Sequence, residues 1–360
     1  MGALHRMNRS SGGRNRVTIN DVAEALGVTK STVSRALNSY SDIAPATRLR
    51  VQRMAETMGY RPLSHAQAIR TGRARSIGLV LQTNLHDAHR PFLSQFLAGV
   101  TQEASHEGWT LSVATADSGD EVLETFERLV DERKVDGFIL PRTLTQDDRV
   151  QMLRRLDVPF VLFGRTGDPD GCAWYDILGE EAMRDGVLHM ARLGHRRIAY
   201  LGGQLGYHYA HLREDGYRAG LEAADLGLDR DLICPDAASR ASGADAARRL
   251  LDLPDPPTAF VAAVDLGALG IYDAAAERGL RVGRDLSVLG YDGSPEGAYA
   301  NPPLSTFSVD TQLAGARLAS LLLRRIRGEA AETLRETGQA TLLLRGSDAK
   351  KSTIPMGELT

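Results

Sequence analysis

The sequence predicts an N-terminal, all-α helix-turn-helix headpiece followed by an α/β core of two doubly wound parallel-sheet lobes. Near the N-terminus, two short amphipathic helices are separated by a glycine. From residue 76 onward, seven apolar strand-like runs alternate with helical segments. Such runs are typical of parallel strands that are covered on both faces. Seven strand–helix units are more than one open sheet usually contains, so we expect two lobes. In such sheets ligands bind at the loops beyond the carboxyl ends of the strands.

Residues 17–38 carry the helix-turn-helix pattern. Gly27 ends the first helix because glycine accepts the left-handed conformation of a helix end, and Thr29 can cap the second helix. The second helix carries Val33 and Leu37 inward and basic and hydroxyl side chains outward, as a recognition helix in a DNA major groove requires. The first helix also has apolar residues with helical spacing at Ile19, Val22, Ala23 and Leu26. A surface helical hairpin without a role in DNA binding is the alternative.

The charges are divided unevenly along the chain. Residues 1–76 contain 13 lysines and arginines against 4 acidic residues, whereas residues 77–360 contain 30 basic and 42 acidic residues. A basic N-terminal part is attracted to a polyanion and binds it in a salt-dependent manner. The basic residues before Val17 are interpreted as a solvated tail, but those within the helical pattern point to nucleic acid.

A third helix is predicted over Pro45–Met58, since proline suits the first helical position and Gly59 follows the last apolar residue. The short piece Ser64–Arg70 lies between Pro62 and a basic link. About seven residues cannot hold a helix in water by themselves. This piece is therefore a candidate hinge that becomes helical only against a partner or DNA.

Composition excludes several classes of protein. The two cysteines, Cys172 and Cys234, lack metal-ligand spacing and fit a reducing cytosol. The N-terminus has no apolar stretch typical of a secretory signal, and no run approaches the ~18 apolar residues of a membrane span. We therefore expect a cytoplasmic, nucleoid-associated protein with no membrane partner.

Motifs of catalysis are missing from the sequence. It contains no metal-ligand cluster, no GxSxG elbow and no GxxxxGK[ST] phosphate loop. The prediction is therefore no enzyme, no cofactor, no metal and no catalytic residue. An exported sugar receptor is a further alternative, which the basic head and the missing signal disfavour.

The chain resembles bacterial repressors of the lactose repressor family from about Val17 to Gly346. This resemblance implies a hinge helix and a core like periplasmic sugar-binding proteins. It also implies a homodimer that reads a pseudo-palindromic, double-stranded operator, with a small effector between the core lobes. The resemblance rests on VTINDVAEALGVTKSTVSRALN, TRLRVQRMAETMGYRP, RTGRARSIGLVL, LGHRRIAYLGG, REDGYRAGL, SVLGYDG and NPPLSTFSVD.

Five segments follow from this resemblance together with the patterns above. They are a disordered basic tail (1–16), a helix-turn-helix headpiece (17–62), a hinge helix and linker (63–75), a two-lobed effector-binding and dimerisation core (76–346) and a flexible tail (347–360). The flexible tail lacks an apolar heptad, so a tetramerising coiled coil is not expected.

The resemblance also assigns DNA contacts. Lys30, Ser31 and Arg35 match positions that read base edges, and the planar fork of Arg35 suits O6 and N7 of guanine. Ile69 stands where the family usually has a leucine that wedges into the minor groove, although it could instead pack against its dimer mate. Residues predicted to hold phosphates or to support register are Thr18, Thr29, Thr32, Ser34 and Asn38.

Effector contacts are carried over in the same way. Arg213 matches an arginine that grips the effector through forked donors, and Asp292 matches an acceptor for ligand hydroxyl or N–H groups. Phe92 falls where the family places an aromatic ring against the ligand. Core packing is the alternative for each. Further predicted effector contacts are Phe163, Arg165, Trp174 and Asp265.

Three positions depart from the family pattern. Val264 replaces an asparagine that often precedes Asp265, and Ala238 stands where an aromatic stacking residue often occurs. Val264 removes one amide hydrogen-bonding group, and Ala238 weakens the transfer of a purine or galactoside ligand set. Ala44 stands where serine commonly caps the third helix, a change that could cost ~1 kcal/mol.

The sequence thus predicts a sequence-specific DNA-binding transcriptional regulator, interpreted as a repressor of a carbohydrate-utilisation operon under the allosteric control of a sugar. A corepressor-type regulator responding to a purine or another metabolite is the alternative. A cytosolic sugar-binding protein or an enzyme is disfavoured. The sequence names neither the effector nor the sign of its effect.

Overall fold

We describe a computed structural model of the chain over residues 17–60, 72–83 and 90–351, without the side chains of residues 90–92. The chain divides into two compact units, residues 1–74 and 75–360. The predicted hinge over 63–75, and Ile69 within it, lies largely outside the described residues. No helix in the described part of the chain is long and apolar enough to cross a membrane.

The N-terminal unit contains three helices, α1 (Ile19–Leu26), α2 (Lys30–Leu37) and α3 (Pro45–Met58). Each helix contributes a fully buried valine to one small core, namely Val22, Val33 and Val51. Burying such a side chain contributes ~1.5–3 kcal/mol. Gly27 ends α1 at a φ of 64°, a conformation that glycine adopts without steric cost. The helix-turn-helix prediction is confirmed.

The second unit contains two lobes, each built on a six-stranded sheet. The first-lobe sheet has the order β11-β5-β4-β3-β1-β2, and all its pairings are parallel. Its strands are β1 (Ser76–Gln82), β2 (Thr110–Ala116), β3 (Gly137–Leu140), β4 (Phe160–Phe163), β5 (Ala173–Ile177) and β11 (Arg335–Gly338). Helices α4 (Arg90–His106), α5 (Gly119–Asp131), α6 (Asp148–Arg155) and α12 (Thr311–Ile326) belong to this lobe.

The second-lobe sheet has the order β12-β10-β9-β8-β6-β7 and is parallel except for the antiparallel pair of β10 with β12. Its strands are β6 (Ile198–Leu201), β7 (Ile233–Cys234), β8 (Ala259–Ala262), β9 (Ser287–Asp292), β10 (Ser305–Ser308) and β12 (Thr341–Leu343). Its helices are α7 (Gly179–Arg192), α8 (His208–Ala223), α9 (Arg240–Leu251), α10 (Asp265–Glu277) and the short α11 (Pro295–Ala298).

Apolar cores cover both faces of each sheet, which explains why the inner strands β3, β6 and β8 are buried along their whole length. The chain passes between the lobes three times: from β5 to α7, from β10 to α12 and from β11 to β12. The predicted pair of parallel-sheet lobes is confirmed.

The C-terminal end of the described chain differs from the predicted flexible tail. Ser347 is fully buried and its hydroxyl donates to the carbonyl of Val288 at 2.6 Å. Asp348 pairs with His189 at 2.8 Å, and Lys351 donates its backbone N–H to the carbonyl of Leu193. Residues 347–351 are therefore part of the second lobe. The sequence did not predict this, because hydrogen bonds and an ion pair rather than an apolar pattern hold them there.

Candidate functional site

The predicted recognition helix α2 begins with a cap built from its own hydroxyl residues. Thr29 Oγ1 accepts a hydrogen bond from the backbone N–H of Thr32 at 3.1 Å. Lys30 and Ser31 follow on the exposed surface of the first turn. At the other end, Asn38 Nδ2 donates to the carbonyl of Ser34 at 2.7 Å. The polar residues therefore fix both ends of the helix.

Thr18 caps the preceding helix in the same manner. Its backbone N–H donates to Asp21 Oδ2 at 2.7 Å, and its hydroxyl oxygen accepts from the N–H of Asp21, which completes a capping box. The bonds that the Asp21 carboxylate accepts from the N–H and the hydroxyl of Thr18 hold the pKa of Asp21 below its usual range. Thr18 is thus a helix-capping residue whatever it contacts on DNA.

Arg35 on α2 has a partner that the sequence did not predict. Its Nη2 forms an ion pair with Asp42 in the turn between α2 and α3. The guanidinium carbon lies 5.5 Å from the ring centroid of Tyr40 in the same turn. The predicted base-reading arginine is therefore held by an acidic residue seven positions further along the chain.

Arg213 lies where the two lobes meet. It projects from α8, and its Nη1 donates to the carbonyl of Ala263 at 2.5 Å. Its guanidinium carbon lies 3.6 Å from the ring centroid of Tyr291 and 4.6 Å from that of Tyr209. Burial opposes its charge, but Tyr291 and Asp292 raise the pKa of Arg213 above its usual value, so it remains a cation.

Gly179 leaves the space that Arg213 occupies. A Cβ at this position would lie 3.1 Å from both Cγ and Nε of Arg213. One helical turn later on α8, Gly216 packs so closely on α7 that a Cβ there would lie 2.1 Å from the carbonyl oxygen of Glu180. The glycines thus let α8 approach the start of α7 and bring Arg213 to the crossover between the lobes.

Asp292 ends β9 beside Arg213 in an unusual backbone conformation. Its φ is 127°, a region that side chains other than glycine rarely adopt. Such strain often occurs at functional sites. The side chain keeps an exposed face. The protein groups packed around Asp292 still reduce its hydration, which raises the pKa of its carboxyl group. The nearby Asp265 also raises this pKa, whereas Arg213 lowers it.

Asp265, which is predicted to contact the effector, is buried and bonded within the protein. Its side chain is 1% exposed, and both carboxylate oxygens are occupied: Oδ1 accepts from Thr306 Oγ1 and Oδ2 from the N–H of Ser294, each at 2.6 Å. Asp265 therefore positions the loop that follows Asp292. Its burial leaves almost none of the side chain accessible to a ligand.

Arg165 is neutralised by two carboxylates. Its Nε donates to Asp176 at 2.5 Å and its Nη2 to Glu180 at 2.6 Å. Burial opposes the charge, but these acids raise the pKa of Arg165 above its usual value. The pair Asp176 and Glu180 stands at the first crossing between the lobes and was missed at the sequence level, because its partners are set by the fold.

The two predicted aromatic walls lie on opposite faces of the first-lobe sheet. Phe163 stacks on Phe96 with the ring centroids 5.8 Å apart, within the core that includes α4 and α12. Trp174 packs against the core on the other face, and Arg335 lies 4.2 Å from its ring centroid. The structure therefore does not bring Trp174 to Phe163. The side chain of Phe92 lies outside the described residues.

Two loops join the lobes directly. The N–H of Thr145 in the first lobe donates to the carbonyl of Gly206 in the second, and the N–H of His208 donates to the carbonyl of Thr143, both at 3.0 Å. Arg142 Nη2 adds a bond to Gln204 Oε1, also at 3.0 Å. We call residues 142–145 and 204–208 the inter-lobe clasp.

Aromatic rings accompany the inter-lobe clasp. Arg142 lies 4.3 Å from the ring centroid of Tyr207, and Tyr207 stacks on Tyr209 at 5.9 Å. In the sequence, only the closely spaced tyrosines Tyr207 and Tyr209 mark this segment. Their pairing with Arg142 depends on a contact between distant segments.

Unpartnered polar atoms gather around this region. Within the described residues, five buried side-chain atoms lack a hydrogen-bond partner here: Oγ1 of Thr145, Oε2 of Glu180, Oη of Tyr200, Nδ1 of His208 and Nε of Arg213. Buried polar atoms are normally satisfied. Burial, with the charge of Arg165, lowers the pKa of His208 and so favours its neutral imidazole. Together these atoms are donors and acceptors that no other group of the described protein satisfies.

Comparison with known proteins decides the family. Residues 18–63 match the family described as bacterial regulatory proteins of the lacI family, and residues 187–347 match the periplasmic binding protein-like domain. The transcriptional regulator AglR of Rhizobium meliloti (strain 1021) is 33% identical over 92% of this chain and 94% of its own length. The regulator CelR of Thermobifida fusca is 34% identical over 93% of this chain and 99% of its own length.

The chain belongs to the LacI family. A solved structure of the lac repressor dimer bound to operator and an anti-inducer matches it with a TM-score of 0.76 at 28% identity, covering 93% of this chain and all of that one. The LacI family consists of DNA-binding transcriptional regulators rather than enzymes. The predicted family, fold and DNA-binding regulatory function are thus confirmed, whereas the individual site residues stay predictions.

Proposed function

We propose that this LacI-family regulator represses a carbohydrate-utilisation operon and that its effector is an uncharged saccharide bound between the core lobes against Arg213 and Asp292. The balance of charge around the unpartnered polar atoms carries the proposal. Three arginines (Arg142, Arg165 and Arg213) stand with three carboxylates (Asp176, Glu180 and Asp292).

This balance favours hydroxyl groups over phosphate. Two of the three nitrogens of the Arg165 guanidinium, Nε and Nη2, are already bonded to Asp176 and Glu180, which compensate its charge. A phosphate near Arg213 would also meet the carboxylate of Asp292, and like charges in a poorly hydrated cleft repel strongly. Sugar hydroxyls can instead donate to Asp292 and accept from the free Nε of Arg213.

The relatives support a saccharide as well. A solved structure described as a complex of the regulator CelR with cellobiose matches this chain with a TM-score of 0.71 at 32% identity, covering 92% of this chain and all of that one. A purine effector has less support here, because Ala238 offers no ring for stacking on a base.

The remaining organisation follows from this proposal. Two copies of the chain form a homodimer in the cytoplasm, associated with the nucleoid. Their headpieces (17–62) read the halves of a pseudo-palindromic operator. On each α2, Lys30, Ser31 and Arg35 read bases while neighbouring hydroxyl and amide groups hold phosphates. The saccharide rotates one lobe relative to the other and thereby changes the affinity for DNA.

Thermal melting of the full-length protein tests the effector class. We expect mono- or disaccharides, cellobiose among them, to raise the core transition, because a ligand at 100 times its Kd adds about 2.7 kcal/mol to the folded state. The corresponding sugar phosphates should have no effect. Stabilisation by sugar phosphates or purine bases alone would contradict the proposal. Arg218→Ala, on the same helix as Arg213 and paired with Glu214 at 2.5 Å, is the matched control for Arg213→Ala.

A further inference from the structure

The turn between α2 and α3 presents an acidic side chain to the candidate base-reading arginine. Asp42 forms its ion pair with Arg35 on the surface, where the two side chains are 48% and 46% exposed. An exposed pair of this kind contributes little to folding stability. Its position next to the recognition helix therefore calls for an explanation other than stability.

The turn that carries Asp42 is fixed by backbone hydrogen bonds. The N–H of Tyr40 donates to the carbonyl of Arg35 at 3.1 Å, and the N–H of Ile43 donates to the carbonyl of Tyr40 at 3.2 Å. Arg48 on α3 donates to the same carbonyl of Tyr40 at 2.9 Å. Asp42 is thus held in place relative to α2 by the headpiece itself, and its carboxylate restricts where the guanidinium of Arg35 can point.

An arginine held in this way can still read a base. A guanidinium has five N–H donors in a rigid fork, and Asp42 engages Nη2. The other donors remain available for O6 and N7 of guanine, the pair that an arginine recognises. On the other face, the ring of Tyr40 lies 5.5 Å from the guanidinium carbon and limits its movement further.

We propose that Asp42 is a specificity-determining residue for operator recognition, acting by holding Arg35 toward the base edges and away from the phosphates. A long arginine without such a partner can bind any phosphate, which adds affinity without sequence information. The negative charge of Asp42 also lowers the attraction to DNA in general, so only the sites that satisfy Arg35 are bound well. This inference rests on the proposed base-reading role of Arg35.

Selection from a random-sequence duplex library tests the proposal with the full-length protein. The variants are Asp42→Asn, Arg35→Ala and the double variant, with Glu56→Gln as a control that removes one negative charge from an exposed site on α3. We expect Asp42→Asn to reduce the preference at the base position that Arg35→Ala also affects. The affinity ratio of selected to scrambled duplex should fall roughly tenfold. Binding to the scrambled duplex should tighten and depend more steeply on salt.

The double variant separates a role in recognition from a role in folding. If Asp42 acts through Arg35, Asp42→Asn changes the base preference in the wild-type background and not in the Arg35→Ala background. An equal loss of binding to all duplexes in both backgrounds would overturn the proposal, as would a base preference unchanged by Asp42→Asn. A preference unchanged by Arg35→Ala would instead refute the role of Arg35 itself. Glu56→Gln should keep the wild-type preference.

Discussion

Arg142 of the first lobe donates a hydrogen bond to Gln204 of the second lobe, with Nη2 and Oε1 3.0 Å apart. The φ of Arg142 is 54°, in the left-handed region that non-glycine residues seldom adopt. The backbone bonds of the inter-lobe clasp lie next to this contact. Because Arg142 and Gln204 belong to different lobes, their hydrogen bond depends on the relative position of the lobes.

We predict that Gln204→Ala weakens the inter-lobe clasp by about 0.5–1.5 kcal/mol, the net contribution of one hydrogen bond. The amides of Thr145 and His208, which bond across the lobes, should then exchange with deuterium several-fold faster. Gln151→Ala, on an exposed side of α6, serves as the control. Unchanged exchange at both amides would show that the Arg142 contact does not hold the lobes.

Arg213→Ala should abolish the response to the saccharide and leave operator binding intact. Arg213 contacts Tyr209, Tyr291 and the carbonyl of Ala263 within the core and belongs to a different unit from the headpiece. Fluorescence anisotropy with a labelled operator, with and without the saccharide, measures both properties. If Arg213→Ala weakened operator binding while Arg218→Ala did not, Arg213 would be a structural residue.

The second lobe should lose stability as the pH falls below about 7 because of His195. The ring is 2% exposed, with Nδ1 2.9 Å from Thr258 Oγ1 and Nε2 3.0 Å from the carbonyl of Ala349. Burial, with the charges of Lys351 and His189, lowers the pKa of His195. The unfolded chain therefore takes up this proton first, near its ordinary pKa of about 6.5, and stability decreases from there toward the lower pKa of the folded state.

Denaturant unfolding between pH 7.5 and 5 measures this dependence. The variant His195→Gln should have a lower free energy of unfolding at pH 7.5 and a smaller slope with pH. The hydrogen bonds from His189 and Ser305 lower the pKa of Asp348, so this carboxylate stays ionised across this pH range. Equal slopes for the two proteins would contradict the assignment.

Ala44→Ser should stabilise the headpiece by ~1 kcal/mol. Ala44 is the N-cap of α3 and provides no side-chain hydrogen bond, whereas the caps of α1 and α2 are threonines that do. The thermal transition of the headpiece in the full-length protein measures the gain. Ala46→Ser, inside the first turn of the same helix, should not stabilise it; an equal gain from both changes would refute the capping explanation.

Much of the fold could be predicted from local patterns. Apolar spacing and the cap residues Gly27 and Thr29 fix the headpiece, and continuous apolar runs fix the parallel strands, because these signals lie within one element. The placement of residues 347–351 could not be predicted. It depends on Ser347, Asp348 and His195 meeting partners more than 40 positions away.

The candidate sites show the same limit. The structure places Arg213 and Asp292 beside one another near the crossover between the lobes, and their effector contacts stay predictions. Asp265 is buried and bonded to Thr306 and Ser294, and Trp174 packs on the face of its sheet opposite to Phe163. Strand register and burial decide which way such side chains point, and the sequence alone does not show either. Arg142 and Asp42 were missed for a related reason. Each acquires its role from a partner in another element, Gln204 in one case and Arg35 in the other.

The most direct test of the central claim is a reciprocal titration on the full-length protein. Operator affinity is measured with and without the saccharide found by melting, and saccharide affinity with and without operator. An allosteric regulator must give the same coupling factor in both directions, typically 5- to 150-fold. We predict one common factor, which disappears in Arg213→Ala. Saccharide binding that leaves operator affinity unchanged would contradict the claim that this site controls DNA binding.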